Sequence, residues 1–135
     1  MLRLGLDAYK TMIGHCLDGL PLEACGLLGG HADSGRAAVS YPAHNDAASA
    51  KVYTLNPKDM LRADRDAESR GMEILGVYHS HTHTDPYPSP TDVTNAPDPG
   101  WHYIIVSLRD TAPMVRSYRI VDGTIAEEPV VVEGR

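Results

Sequence analysis

Residues 72–82 read Met-Glu-Ile-Leu-Gly-Val-Tyr-His79-Ser-His81-Thr, and the chain reaches Ser89-Pro90-Thr91-Asp92 ten residues later. The run 72–79 is short and apolar and fits a central strand. Side chains two apart on a strand share a face. His79 and His81, at the end of this one, therefore present both imidazoles to the same side. Residues 82–88 are rich in Thr and Pro and form a loop. Ser89-Pro90-Thr91-Asp92 resembles a capping sequence for a short helix that Pro97 ends. Such a loop can return the Asp92 carboxylate to the two imidazoles.

The rest of the chain supplies a sheet for that strand. Upstream, Leu6, Tyr9, Ile13, Cys16 and Leu17 recur at helical spacing and predict a helix over 6–18, ended by Gly19 and Pro21. Residues 22–29 read as a buried strand, 37–42 as another and 52–55 as a third. Asn56-Pro57 opens a helix over 57–70, with Met60, Leu61 and Ala67 on its apolar side, and Gly71 closes it. Downstream, strands are expected over 102–107, 114–120 and 124–131, the last two joined at Asp122-Gly123. The expected fold is mixed α/β, one compact domain over 1–135 built on a curved, largely antiparallel sheet.

Composition narrows the functional classes. With 135 residues the chain can bury roughly 70% of its unfolded surface, so it needs no metal merely to fold. The net charge of −6 and the scattered Lys and Arg argue against nucleic acid as the main partner. No signal-peptide pattern opens the sequence, and no stretch approaches the roughly 18 apolar residues of a membrane span. Cys16 and Cys25 make no disulfide framework, so a reducing cytoplasm is the expected location.

Two histidines and one carboxylate leave a fourth tetrahedral position open, the arrangement of a catalytic zinc site. A hydrolase built on such a site also needs a base to take the water's proton and return it to the leaving group. Glu23 is the candidate, because an ionisable side chain in the apolar stretch 22–28 is expensive unless paired or functional. Ser89 can donate to a developing oxyanion. Each residue also has a plainer role. Taken alone, Asp92 and Ser89 are helix-capping residues, and Glu23 is a solvated strand-edge residue. Their joint occurrence with His-x-His carries the argument.

The spacing His79-Ser80-His81, seven residues, Ser89, two residues, Asp92 resembles the signature of the JAMM (JAB1/MPN/Mov34, MPN-plus) metalloproteases without a gap. Glu23-Ala24-Cys25-Gly26-Leu27-Leu28-Gly29-Gly30 is similar to the segment that carries their catalytic glutamate. The resemblance spans roughly residues 2–131. It implies an MPN-type domain with two main helices flanking the sheet, in a cytidine-deaminase-like architecture. It also implies one catalytic Zn²⁺ on His79, His81 and Asp92, with Glu23 as acid/base and Ser89 as oxyanion stabiliser.

Within the family the chain looks most like the actinobacterial Mec-type peptidases. That likeness implies hydrolysis after the C-terminal Gly-Gly of a ubiquitin-like sulfur-carrier protein, with release of cysteine or another small amino acid. A non-catalytic MPN-type scaffold is the alternative; such members usually lack a metal-site residue, and none is missing here. A zinc deaminase would need a Pro-Cys-x-x-Cys segment, which is absent. Exposed strand edges are compatible with a homodimer. Of the remaining candidates, His83 reads as an exposed loop residue near the cleft rather than a third imidazole ligand. The Cys25 thiol is either near the pocket or a buried inert group. His15, His31 and His44 read as surface residues, and Trp101-His102-Tyr103 as strand packing.

Overall fold

The computed structural model describes residues 1–134. In chain order the elements are β1 (Leu2–Gly5), α1 (Leu6–Asp18), β2 (Cys25–His31), β3 (Arg36–Ala43), α2 (Pro57–Ser69), β4 (Glu73–His81), α3 (Pro90–Thr94), β5 (His102–Ser107), β6 (Met114–Val121), β7 (Thr124–Glu128) and β8 (Val130–Glu133). The strands form one sheet in the order β7-β6-β5-β4-β2-β3-β1-β8. Only Pro129 separates β7 from β8, yet they lie at opposite ends of that order. The sheet must therefore curl almost into a barrel. The Leu2 N–H donates to the Pro129 carbonyl at 2.9 Å, extending the β1–β8 pairing to the residue that joins β7 to β8. Antiparallel pairings hold β2 to β3 and β4, and β6 to β5 and β7. Parallel ones hold β4 to β5 and β1 to both β3 and β8.

The two helices cover opposite faces. Ala8, Met12 and Cys16, four residues apart in α1, are buried together with Leu2, Leu4, Leu28 and Tyr78. Full burial of a side chain the size of Met12 is worth about 1.5–3 kcal/mol. On the other face, α2 buries Ala63 against Leu27, Val77 and Ile105. Asn56 caps α2 by accepting from the Lys58 and Asp59 backbone N–H groups, and Pro57 occupies a first-turn position that needs no donor.

A bulge in the β2–β4 ladder near Leu28 sets which face each β4 side chain meets. Beyond it alternation is regular: Tyr78 and Ser80 face α1, whereas Val77, His79 and His81 face α2. Gly26 makes room for this, since a Cβ there would lie 2.4 Å from the Tyr78 ring.

Several expectations are corrected. Strand β2 begins at Cys25, so Glu23 lies just before it rather than inside it. Residues 52–55 are not a strand; Leu55 makes only an isolated bridge to Asn45. The Asn45 side chain takes over their pairing, accepting from the Thr54 N–H and donating to the Val52 carbonyl. The strand expected over 124–131 is two strands, because Pro129 has no N–H to continue the ladder. Strand β1 was not expected at all. On the helices, Leu17 and Leu61 are exposed, and the buried stripes run through Ala8, Met12 and Cys16 in α1 and through Ala63 and Ala67 in α2. His15 is half-buried, its Nδ1 2.6 Å from the Tyr78 hydroxyl.

Candidate metal centre

The last three residues of β4 sit where the sheet is best braced, between β2 and β5. His79 and His81 are 3% and 5% exposed. Asp92 comes from the first turn of α3, where it completes a capping box with Ser89: the Ser89 N–H donates to Asp92 Oδ2, and the Asp92 N–H to Ser89 Oγ. The capping role expected of these two residues is thus compatible with their place beside His81. The cap aims the Asp92 carboxylate, and the Ser89 hydroxyl hydrogen stays free to donate.

The three side chains converge on one point. His79 Nε2 and His81 Nε2 are 3.2 Å apart, and Asp92 Oδ2 lies 3.2 Å from the first and 3.1 Å from the second. Donors at 2.0–2.1 Å around a tetrahedral zinc would be separated by about 3.3 Å. The triangle already has that size. His81 Nδ1 is 2.8 Å from the Asp85 carbonyl, which can only accept, so the ring's proton belongs there and Nε2 offers a lone pair. Tyr53 stacks on His79 with ring centroids 4.4 Å apart, which fixes the plane of that imidazole. Among the described residues this is the one grouping of His, Cys, Asp and Glu able to hold an ion.

The electrostatics agree. Burial alone would raise Asp92, but hydrogen bonds with both histidines hold it far below the usual carboxylate range. Burial lowers His79, keeping it neutral and fit to ligate. At His81 burial is outweighed by the Asp92 and Asp85 hydrogen bonds, which raise it. Two imidazole nitrogens and a carboxylate oxygen in contact call for a positive charge between them, which a divalent cation would supply.

Glu23 reaches the same place from the other side. The pairing Cys25↔His79 continues through the Ser80 N–H bond to the Ala24 carbonyl, so Glu23 falls opposite His81. Its backbone is fixed at both ends: the Glu23 N–H donates to the Ser49 carbonyl at 2.8 Å, and Asn45 Nδ2 donates to the Glu23 carbonyl at 3.0 Å. The carboxyl is 5% exposed, and its Oε1 has no hydrogen-bond partner among the described residues. Burial pushes it up to about 7, with His81 opposing and Asp92 reinforcing the rise. Glu23, His81 and Ser89 line one cleft of about 260 Å³. A second, of about 360 Å³, has a mostly apolar lining that includes Tyr53, Val77 and Trp101 together with the polar Thr54 and Asn95, and meets the triad through Tyr53.

All five expected site residues are thus brought together. Cys25 is not among them: its thiol is fully buried, 3.7 Å from the His44 carbonyl, and burial pushes it up to about 12. His83 is exposed at the cleft rather than in the triad. Three supporting residues went unread in the sequence: Asn45, Tyr53 and Ser80, whose Oγ accepts the Ala24 N–H. Only Asn45, a turn residue followed by Asp, carried a local signal.

Residues 6–121 match the family described as prokaryotic homologs of the JAB domain. The CysO-cysteine peptidase of Mycobacterium tuberculosis is 42% identical over 127 residues, 93% of this chain and 87% of that one. The desampylase of Haloferax volcanii is 37% identical over 111 residues, 78% and 80% of the two chains. A Desulfitobacterium hafniense protein solved in solution superposes with a TM-score of 0.91 at 33% identity, covering 100% of this chain and 94% of that one. A converging His-His-Asp triangle on an MPN-type sheet, a match over most of the chain and relatives this similar lead to one conclusion: the chain belongs to the prokaryotic branch of the JAB (JAB1/MPN) family.

Proposed function

We propose that this chain is a zinc-dependent peptidase that cleaves the bond after the C-terminal glycine of a ubiquitin-like sulfur-carrier protein, releasing cysteine or another small amino acid. The observation that carries the reading is a zinc-sized triangle of acceptors beside a buried, donor-free carboxyl in one cleft. The names of the mycobacterial and haloarchaeal relatives support the substrate class.

His79, His81 and Asp92 would hold the ion, which when bound supplies Lewis acidity and lowers the pKa of water from 15.7 toward about 7. Glu23 takes one proton from the attacking water as the oxygen adds to the glycine carbonyl carbon. Burial would hold Glu23 up at about 7, and positive charge held by His79, His81 and Asp92 would favour the carboxylate that accepts this proton. Ser89 Oγ–H donates to the oxyanion that develops. When the C–N bond breaks, Glu23 returns the proton to the departing nitrogen, leaving a carrier carboxylate and a free amine. The apolar cleft beside Tyr53 suits an extended tail, and a Gly-Gly end passes a narrow channel because it has no side chains to clash.

The test is intact mass spectrometry of CysO–cysteine incubated with the zinc-loaded chain. Loss of the terminal residue is expected, with turnover abolished and zinc retained in Glu23→Gln. An unchanged conjugate in the presence of stoichiometric zinc would contradict the proposal.

A further inference from the structure

The cleft that holds Glu23 and Ser89 is also lined by Lys51, Thr82, His83 and Thr84. We propose that Lys51 and His83 form a subsite for the α-carboxylate of the departing amino acid, making the enzyme selective for a single C-terminal residue. This rests on the peptidase reading above and names what that site discriminates.

Two clefts adjoin the triad, and proton bookkeeping tells them apart. Glu23 must deliver its proton to the departing nitrogen, so the leaving group lies on the Glu23 side. That side is the cleft of about 260 Å³. It is smaller than the roughly 300 Å³ at which ordinary ligand pockets begin. One small residue fits it better than the chain of a second protein.

Its chemistry is that of an anion site. In a chain of net charge −6, the lining beside Glu23, His81 and Ser89 carries an ammonium, an imidazole and two threonines. Neither Lys51 nor His83 has an ion-pair partner among the described residues. Asp85, on the His83 loop, is paired with Arg109 instead.

Both basic residues project from anchored backbone. The Lys51 N–H donates to Ser49 Oγ at 3.0 Å, and Thr82 Oγ1 donates to the Ala50 carbonyl at 3.2 Å, tying the Lys51 loop to the end of β4. Ser107 Oγ donates to the Thr84 carbonyl at 2.6 Å, which holds the His83 loop against β5. In a C-terminal amino acid the carboxylate is one carbon from the departing nitrogen, within reach of such a pair. A lysine side chain in an isopeptide carries no acid group there.

The experiment compares CysO–cysteine made with its terminal carboxyl free or as the primary amide. Wild-type enzyme should cleave the free acid about 10- to 100-fold more efficiently, as the loss of a charge-assisted hydrogen bond predicts. Lys51→Met and His83→Gln should lower cleavage of the acid and leave the amide unchanged. In Glu23→Gln, which binds without turnover, the acid should show the lower Kd by a similar factor. Equal cleavage of acid and amide, unaltered in Lys51→Met, would overturn the subsite while the peptidase reading stands. Cleavage of neither would overturn both.

Discussion

Glu23, just ahead of β2, and Glu128, in β7, are buried to nearly the same degree, at 5% and 8% exposure, and they are opposites. Burial pushes Glu23 up to about 7, and its Oε1, like that of Glu128, has no hydrogen-bond partner among the described residues; the difference lies at the other oxygen. Burial acts on Glu128 as well, but hydrogen bonds from His102 at 2.6 Å and Ser117 at 2.8 Å overcome it and hold the acid at about 2. The Met1 amine and the Arg119 guanidinium add positive charge at 3.2 and 3.7 Å. Donors, not depth, separate the two carboxyls. The same contrast separates the histidines. His102 beside Glu128 is a completed donor–acceptor pair that needs no ion, whereas His79, His81 and Asp92 bring acceptors together.

The contrast can be broken by mutation. Glu23→Gln should lower turnover by at least about 10²–10⁴, the usual contribution of a positioned acid/base, whereas Glu128→Gln should leave it within a few-fold. A comparable loss at Glu128 would erase the functional difference between the two sites. Ser89→Ala should cost about 10²–10³ in kcat by losing an oxyanion donor. It should also cost about 1 kcal/mol of stability by losing the α3 cap. Steady-state kinetics with chemical denaturation reads both.

The smaller effects sharpen the comparison. Glu128→Gln should destabilise by about 1–2 kcal/mol, because the bonds from His102 and Ser117 then end on a neutral amide oxygen instead of a carboxylate, with zinc affinity unchanged in a chelator competition. The two glutamates should also tilt stability in opposite directions with pH. Folding raises Glu23 from 4.5 to about 7, so in the metal-free protein its contribution falls as pH rises across that window. Folding lowers Glu128 from 4.5 to about 2, so its contribution is full above 4.5 and is lost as pH falls toward 2. Denaturation of Glu23→Gln and Glu128→Gln as a function of pH should each remove one slope and leave the other.

How much of this was legible in the sequence follows from which interactions are local. The helices, β4 and the short α3 were readable because caps, periodicity and alternation act within a few residues. The triad was readable for the same reason, since His79, His81 and Asp92 lie within one strand and the cap that follows it. Strand β1 was invisible because its partners, β3 and β8, lie about 30 and 130 residues away, with no hairpin turn to announce them. The false strand at 52–55 has suitable residues, but Asn45 satisfies its backbone from a distance. Glu23 was found for a reason that held only in part. It is buried as expected, yet it precedes β2, and its place is set by Ser49, Asn45 and Ser80. The donors that make Glu128 harmless come from β5 and β6, and no spacing within β7 foretells them.

The central claim, that three side chains share one ion, is tested most directly by zinc-edge X-ray absorption on the zinc-loaded protein. One zinc per chain is expected, with only nitrogen and oxygen neighbours at about 2.0–2.1 Å, two of them imidazoles. A sulfur neighbour at about 2.3 Å, which would put Cys25 or Cys16 on the metal, or a coordination shell unchanged by Asp92→Ala, would contradict it.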